Sequence, residues 1–157
     1  MKHQRGFSLI ELLAAAAIMG ILAAVAVPVM ETTLRREKER ALRTALRDIR
    51  GAIDAYKAAV DAGRIAKVNG GTGYPPGLVD LAAGVKDLSN PSGPPVFFLR
   101  KVPRDPFHPD AKTPAASSWG LRDSASEPDA PKAGKDVFDV YSTSTREGLN
   151  GVPYSEW

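Results

Sequence analysis

Apolar residues follow three different patterns along this chain of 157 residues. The first is an almost unbroken run near the start, with no formal charge between Leu12 and Met30. Counted from Phe7, the 24 residues of the run would extend roughly 36 Å as an α-helix, which exceeds the ~30 Å of a bilayer core. A single span must satisfy its own backbone hydrogen bonds. The run therefore predicts a transmembrane helix over residues 7–30, kinked at Pro28.

A helical period replaces the continuous run after residue 30. Between residues 31 and 62 the apolar positions are three or four residues apart, with arginine and glutamate between them. This spacing is typical of an amphipathic helix, and Gly63 is a typical C-terminal stop. We expect the rest of the chain to cover one stripe of this helix, formed by Leu42, Leu46, Ile49, Ile53, Tyr56 and Val60.

The third pattern is short alternation in the C-terminal part. Residues 136–142 alternate apolar and polar side chains with period two, which predicts a strand, and residues 119–121 are expected to open another. Proline, glycine and serine dominate much of the remainder, which favours loops. We therefore expect an α+β fold, in which a long N-terminal helix, half transmembrane and half amphipathic, packs on a small C-terminal antiparallel β-sheet.

Charge and composition limit the chemistry. The net charge is +3, from 21 basic and 18 acidic residues, and there is no cysteine, which excludes disulfides and thiolate catalysis. No aromatic residue is interleaved with the arginines after the apolar run, as stacking on nucleic-acid bases would require. We expect no nucleic-acid partner.

Glu11 is the one charged residue of the first run. A carboxylate in a membrane segment is costly unless it is paired. If the chain is cut between Gly6 and Phe7, the new α-amino group of Phe7 lies about one helical turn from Glu11. Amine and carboxylate could then neutralise each other, within one chain or between neighbours, and pairing between chains would favour assembly.

Two simpler interpretations of the run are open. A secretory signal peptide would have a basic start and a small-residue cleavage site at residues 24–26, but the run exceeds the ~7–15 apolar residues of such peptides. A plain membrane anchor accounts for the length and leaves Glu11 unexplained.

The stretch RGFSLIELL, residues 5–13, resembles the class III signal of type IV pilins and type II secretion pseudopilins. The resemblance implies that a prepilin peptidase cleaves between Gly6 and Phe7, that Phe7 is N-methylated and that Glu11 is required for assembly. Pro28 matches a helix-breaking proline typical of the family. The implied organisation is a leader (1–6), a transmembrane and filament-core helix (7–30), its amphipathic continuation (31–63) and a periplasmic globular domain (64–157).

Three C-terminal stretches, residues 74–81, 97–107 and 136–142, resemble major pseudopilins more loosely. In the second, Phe107 replaces the usual tryptophan of a "P.DPWG" signature, and the third resembles an "fDi.S" strand. The resemblance implies the major (G-type) pseudopilin of a type II secretion system, which is a structural subunit and not an enzyme. The alternatives are a type IV pilus subunit for adhesion, motility or DNA uptake, and a membrane-anchored binding module.

The same resemblance implies partners and a location. The expected partners are further copies of the chain, minor pseudopilins, prepilin peptidase, the inner-membrane assembly platform with its ATPase, and membrane lipid. The chain would cross the inner membrane once, with its C-terminal domain in the periplasm, and then enter a periplasm-spanning filament. The arginines that follow the span would by themselves favour a cytoplasmic domain.

Many major pseudopilins hold calcium in the loop after the last strand, through an aspartate of a "GaDG" run. Residues 143–151 lack that aspartate, and Arg146 would oppose a cation. We therefore expect no metal and no other cofactor. Because calcium takes six to eight oxygen ligands, the alternative of a calcium site has as its weak candidates Asp136, Asp139, Glu147 and Asn150.

Overall fold

A computed structural model describes residues 7–68 and 70–157, without the side chains of residues 25–28. The chain divides into two compact units, residues 1–37 and 38–157. The elements are helix α1 (Leu9–Asp61), helix α2 (Asp80–Ala83), strand β1 (Trp119–Arg122) and strand β2 (Asp139–Ser142), with 3-10 turns at Ala115–Ser118 and Tyr154–Glu156. This is the expected α+β fold.

Helix α1 is continuous over 53 residues and includes the position of Pro28. It ends in a Schellman motif, in which Arg64 N–H donates to Ala59 O and Gly63 N–H donates to Val60 O, both at 2.9 Å. Gly63 has φ +70°, a left-handed conformation that glycine adopts without steric cost. The predicted stop is thus confirmed.

The core of the C-terminal unit forms along the predicted stripe of α1. All six stripe residues are buried. They pack with side chains from the rest of the unit, namely Ile65, Leu78, Leu81, Phe107, Trp119, Val137, Val140 and Tyr154. The helix therefore supplies one side of the core, and the loops and the sheet supply the other.

Strands β1 and β2 form a two-stranded antiparallel sheet, with Trp119 opposite Ser142 and Arg122 opposite Asp139. A two-stranded sheet is at best marginally stable alone, so its packing on α1 is essential. Gly120 faces Tyr141, and a Cβ on Gly120 would lie 2.4 Å from the tyrosine ring. Only glycine lets that ring cross β1.

The second strand is shorter than predicted. Residues 136–138 lie outside β2, because Val137 N–H donates to Pro75 O at 2.8 Å and not to a strand partner. The side chain of Asp136 is likewise bound to loops. Phe138 N–H donates to Arg122 O at the end of β1, so only Asp136 and Val137 bind distant loops, which a pattern of period two does not reveal.

Candidate processing and assembly site

The predicted processing site lies at the start of α1. Gly6 lies outside the described residues, and Phe7, the first residue that the structure describes, is 83% exposed. Helix α1 begins two residues later, at Leu9. The predicted new N-terminus thus directly precedes the helix.

Ser8 and Glu11 form a capping box at this end of α1. Ser8 Oγ accepts from Glu11 N–H at 3.3 Å, while Glu11 Oε2 accepts from Ser8 N–H at 2.8 Å and from Ser8 Oγ–H at 3.0 Å. The box satisfies two backbone donors that a helix start leaves open. Its pattern, Ser-x-x-Glu before an apolar run, is present in the sequence, and the sequence prediction did not use it.

Glu11 keeps one oxygen available. Both bonds from Ser8 end on Oε2, and within residues 7–157 as the structure describes them, Oε1 accepts no hydrogen bond. Glu11 itself is exposed. The capped carboxylate can therefore still receive a donor from outside the chain.

The first half of α1 exposes its apolar side chains. Large residues from Leu9 to Met30 are more than half exposed wherever the structure describes them. By length and composition this is a helix that could cross a membrane, and none of its most apolar 18-residue window is buried within the chain. Either lipid or other chains must cover this surface, because so large an apolar area is unfavourable in water.

A family profile described as the prokaryotic N-terminal methylation motif matches residues 1–27. No curated protein matches the chain, and no solved structure matches it. The match supports a type IV pilin-like subunit, which a prepilin peptidase would process and which would polymerise. It is also compatible with a single-pass anchor in the inner membrane.

The calcium candidates are bound to other groups in the chain. Asp136 is buried and accepts from the hydroxyl of Thr72, from Ser124 N–H at 2.9 Å and from Ser124 Oγ–H at 2.7 Å. Burial raises the pKa of Asp136, but these hydrogen bonds outweigh burial, so the pKa lies below its ordinary value. The carboxylate therefore links the loop that contains Thr72 to the loop that contains Ser124.

Asp139 lies between two arginines. Its Oδ1 is 2.7 Å from Arg50 Nε, and its Oδ2 is 4.0 Å from Arg122 Nη2. Two guanidinium groups beside one carboxylate disfavour a cation at this position.

Glu147 and Asn150 belong to the turn before the C-terminal residues. Glu147 pairs through its backbone with Pro153, and Asn150 Oδ1 accepts from Val152 N–H at 3.2 Å. Among residues 7–68 and 70–157, no group of three or more His, Cys, Asp or Glu side chains could hold a metal ion. Among these described residues the four candidates are therefore not gathered into one ligand set.

Two side chains of α1 hold the C-terminal segment. Glu39 Oε1 accepts from Leu149 N–H at 2.7 Å and from Tyr154 Oη–H at 2.9 Å. Arg50 donates to Trp157 O at 2.9 Å and to Val140 O at 3.1 Å. The sequence prediction missed Glu39, although a charged residue three positions before Leu42 falls on the apolar stripe and was an available indication.

The second and third of the three C-terminal stretches that resemble pseudopilins are joined by one buried hydrogen bond. Asp105 is 1% exposed, and its Oδ2 accepts from Ser142 Oγ–H at 2.6 Å. Its Oδ1 accepts from Phe107 N–H at 2.8 Å. The aspartate of "DPF" thus binds the serine of "DVYS" and attaches the turn to the end of β2. Phe107 in turn stacks on Tyr154, with ring centroids 4.0 Å apart.

Proposed function

We propose that the chain is a structural subunit of a type II secretion pseudopilus and that it polymerises through its N-terminal helix. The observation that carries the proposal is the methylation-motif match over residues 1–27, with Glu11 five residues into the chain that cleavage after Gly6 would leave. The exposed apolar half of α1 supports it, because polymerisation would bury this surface among neighbouring copies. No step in this function requires catalysis or a cofactor.

The link between Asp105 and Ser142 favours a pseudopilin over a pilus subunit. Each residue belongs to a stretch that resembles a pseudopilin signature, and the two stretches are 37 residues apart. Because the two stretches are in direct contact, a single feature of the fold would account for both resemblances. It would be a coincidence if the stretches were unrelated.

In the proposed assembly step, Glu11 binds the α-amino group of Phe7 in another copy. The capping box holds the carboxylate on Ser8 through Oε2, and Oε1 receives the incoming amine. An uncompensated charge inside the membrane or filament is strongly unfavourable, so the paired state is preferred. Copies would add where an amine and a carboxylate meet.

Substitutions at Glu11 and Ser8 separate this charge pairing from helix capping. Glu11→Gln keeps an oxygen that can cap and removes the charge, whereas Ser8→Ala removes the capping hydroxyl and keeps the charge. We expect Glu11→Gln and Glu11→Ala to be processed normally. Both should lower the amount of pelletable polymer at least about tenfold, because a loss of only about 1.4 kcal/mol in the free energy of association reduces the association constant tenfold. Ser8→Ala, which costs the helix start about 0.5–2 kcal/mol, should still polymerise.

The measurement is quantification of the processed chain and of sedimented polymer in the native host. Polymer at the parental level in Glu11→Gln would contradict charge pairing. Loss of polymer in Ser8→Ala together with normal polymer in Glu11→Gln would assign Glu11 to capping alone.

Deletion of the whole chain distinguishes the pseudopilus from a surface pilus. We expect specific exoproteins to remain in the periplasm of the deletion strain while sheared surface fibres persist, because a pseudopilus serves export. Comparison of the secreted proteome and the sheared-fibre fraction with the parent strain measures both. Loss of surface fibres with normal secretion would instead assign the chain to a type IV pilus.

A further inference from the structure

Gly51 lies in the amphipathic half of α1, and no contact among the described residues requires a glycine there. It is exposed, its φ is not in the left-handed region, and apart from its chain neighbours and the adjacent helix backbone no atom of the described residues lies within 4 Å of the position that a Cβ would take. Glycine destabilises a helix interior relative to alanine. Because glycine has no Cβ, a glycine on an exposed helix face lets another surface approach the backbone closely.

Two grooves meet at this glycine. One, of about 590 Å³, lies between α1 and residues 98–103. The other, of about 630 Å³, lies between α1 and residues 150–157. Gly51 and Arg47 line both grooves, and we call the surface that the two grooves form the Gly51 face.

The Gly51 face carries an excess of positive charge. Its basic residues are Arg43, Arg47, Arg50, Arg100 and Lys101. Its acidic residues are Asp48, Asp54 and Glu156. Arg50 is bound to Asp139, whereas Arg47 makes no hydrogen bond or ion pair with any residue that the structure describes. Its guanidinium is therefore available to a partner.

An acidic segment lies next to the Gly51 face, beside the C-terminal residues that the two surfaces share. Residues 123–131 contain three acidic side chains and no basic one, and both Glu127 and Asp129 are exposed. Beside this segment, a third groove lies between residues 128–131 and Trp157, and Trp157 also lines the groove on α1. Arg50 and Glu156 also line both of these grooves, whereas Gly51 and Arg47 do not line the groove beside residues 128–131.

We propose that the Gly51 face binds the 123–131 segment of a second copy of this chain. Arg47 would meet Glu127 of the second copy, and the segment would approach α1 over Gly51. The two patches are different surfaces of one chain, so the contact is heterologous and repeats from copy to copy, as an open filament requires. The inference rests on the proposed polymerisation and adds a second contact, outside the membrane helix.

Disulfide trapping tests the contact in the full chain, which has no native cysteine. Under an added oxidant in the native host, Arg47→Cys with Glu127→Cys should give a ladder of dimers, trimers and larger species on a non-reducing gel. Each single variant should give no ladder. As a matched control, Arg47→Cys with Lys112→Cys uses another exposed residue and should also give none. Absence of the Arg47–Glu127 ladder in polymerising cells would overturn the proposal.

Charge reversal and Gly51→Ala test whether the contact contributes to assembly. Arg47→Glu should lower sedimented polymer about fivefold or more, and added Glu127→Lys should restore it to within about twofold, because the two charges are exchanged. Lys112→Glu, the same change elsewhere, should have no effect. Gly51→Ala should raise the thermal midpoint of the full chain in detergent and yet lower polymer.

The outcomes separate this inference from the function on which it rests. If the parent chain forms no polymer, or if Glu11→Gln forms it normally, the proposed assembly step fails. If polymer forms and depends on Glu11, but Arg47→Glu and Gly51→Ala leave it unchanged, only the Gly51 contact is wrong. Loss of polymer in Arg47→Glu without rescue by Glu127→Lys would mean that an anionic lipid or another protein occupies the face, which also overturns the proposal.

Discussion

Glu11 has a role in local structure, and we propose a second role for it in assembly. Ser8 binds one carboxylate oxygen and thereby completes the start of α1, so Glu11 has a structural reason to be present even in an isolated chain. A glutamine would meet that local need almost as well. The helix dipole favours a negative charge in this first turn, and in the proposed function the amine of another chain is its positively charged partner.

Asp136 is a second residue whose carboxylate acts within the chain, and it makes stability depend on pH. Its pKa is lowered in the folded state, so its contribution is present above the unfolded pKa of about 4 and is lost as pH falls through the lower folded value. We expect Asp136→Asn to lower stability at neutral pH by about 1–2 kcal/mol. We also expect it to flatten the loss of stability below about pH 4.

Thermal unfolding of the full chain in detergent at a series of pH values measures this effect. Asp129→Asn, an exposed aspartate of the neighbouring loop, is the control and should follow the parent. If Asp136→Asn and the parent lose stability in parallel below pH 4, the carboxylate does not have the assigned role.

At the scale of elements, the C-terminal segment is held by α1 through side chains and not by a strand. Glu39 is 6% exposed and receives bonds from the backbone at Leu149 and from the hydroxyl of Tyr154. The ring of Tyr154 packs between Phe107 and Trp157, with centroids 4.0 and 5.0 Å away. A buried carboxylate is tolerated here because it is hydrogen-bonded.

Tyr154→Phe tests this attachment because it removes the hydroxyl and keeps the ring. We expect a loss of about 1–1.5 kcal/mol in the free energy of unfolding. Glu39→Ala should cost about 2–4 kcal/mol, because it removes the acceptor of the buried Tyr154 hydroxyl and of the part-buried Leu149 N–H. Tyr141→Phe, on strand β2, is the matched control and should stay within about 0.5 kcal/mol of the parent. Denaturant unfolding measures all three, and equal stability of Tyr154→Phe and Tyr141→Phe would contradict the attachment.

The elements differ in how well local pattern predicts them. The amphipathic stripe and the stop at Gly63 follow from spacing and residue type, because the hydrogen bonds of a helix join residues four positions apart. Strand β2 begins three residues later than its alternation predicts, because a strand exists only where a partner strand lies beside it. Which residues pair with β1 is decided by distant turns.

At the scale of the whole molecule, the two aspartates among the calcium candidates are bound by different groups of the chain. Arg50 and Arg122 flank Asp139, and Asp136 is occupied by Thr72 and Ser124. We propose that the C-terminal loop needs no metal, since Glu39 and Arg50 attach it to α1. In this proposal, the hydrogen bonds from the chain take the place that metal ligation would have.

Chelation tests the metal-free proposal. We expect the thermal midpoint of the full chain to be the same in a chelator and in millimolar calcium, because the described residues bring no three His, Cys, Asp or Glu side chains together and calcium takes six to eight oxygen ligands. Magnesium at equal ionic strength controls for a general salt effect. A midpoint that rises with calcium and not with magnesium would show that a calcium site exists.

The local sequence pattern is sufficient to predict those features that depend only on residues close together in sequence. The apolar run, the stripe and the acid at Glu11 are each defined within a few helical turns, and the demands of lipid and of helix hydrogen bonding act over that range. Glu39 and Asp105 acquire their roles only in the folded chain. Their partners lie 110 and 115 residues away for Glu39 and 37 residues away for Asp105, and no spacing rule connects residues that only tertiary packing brings together.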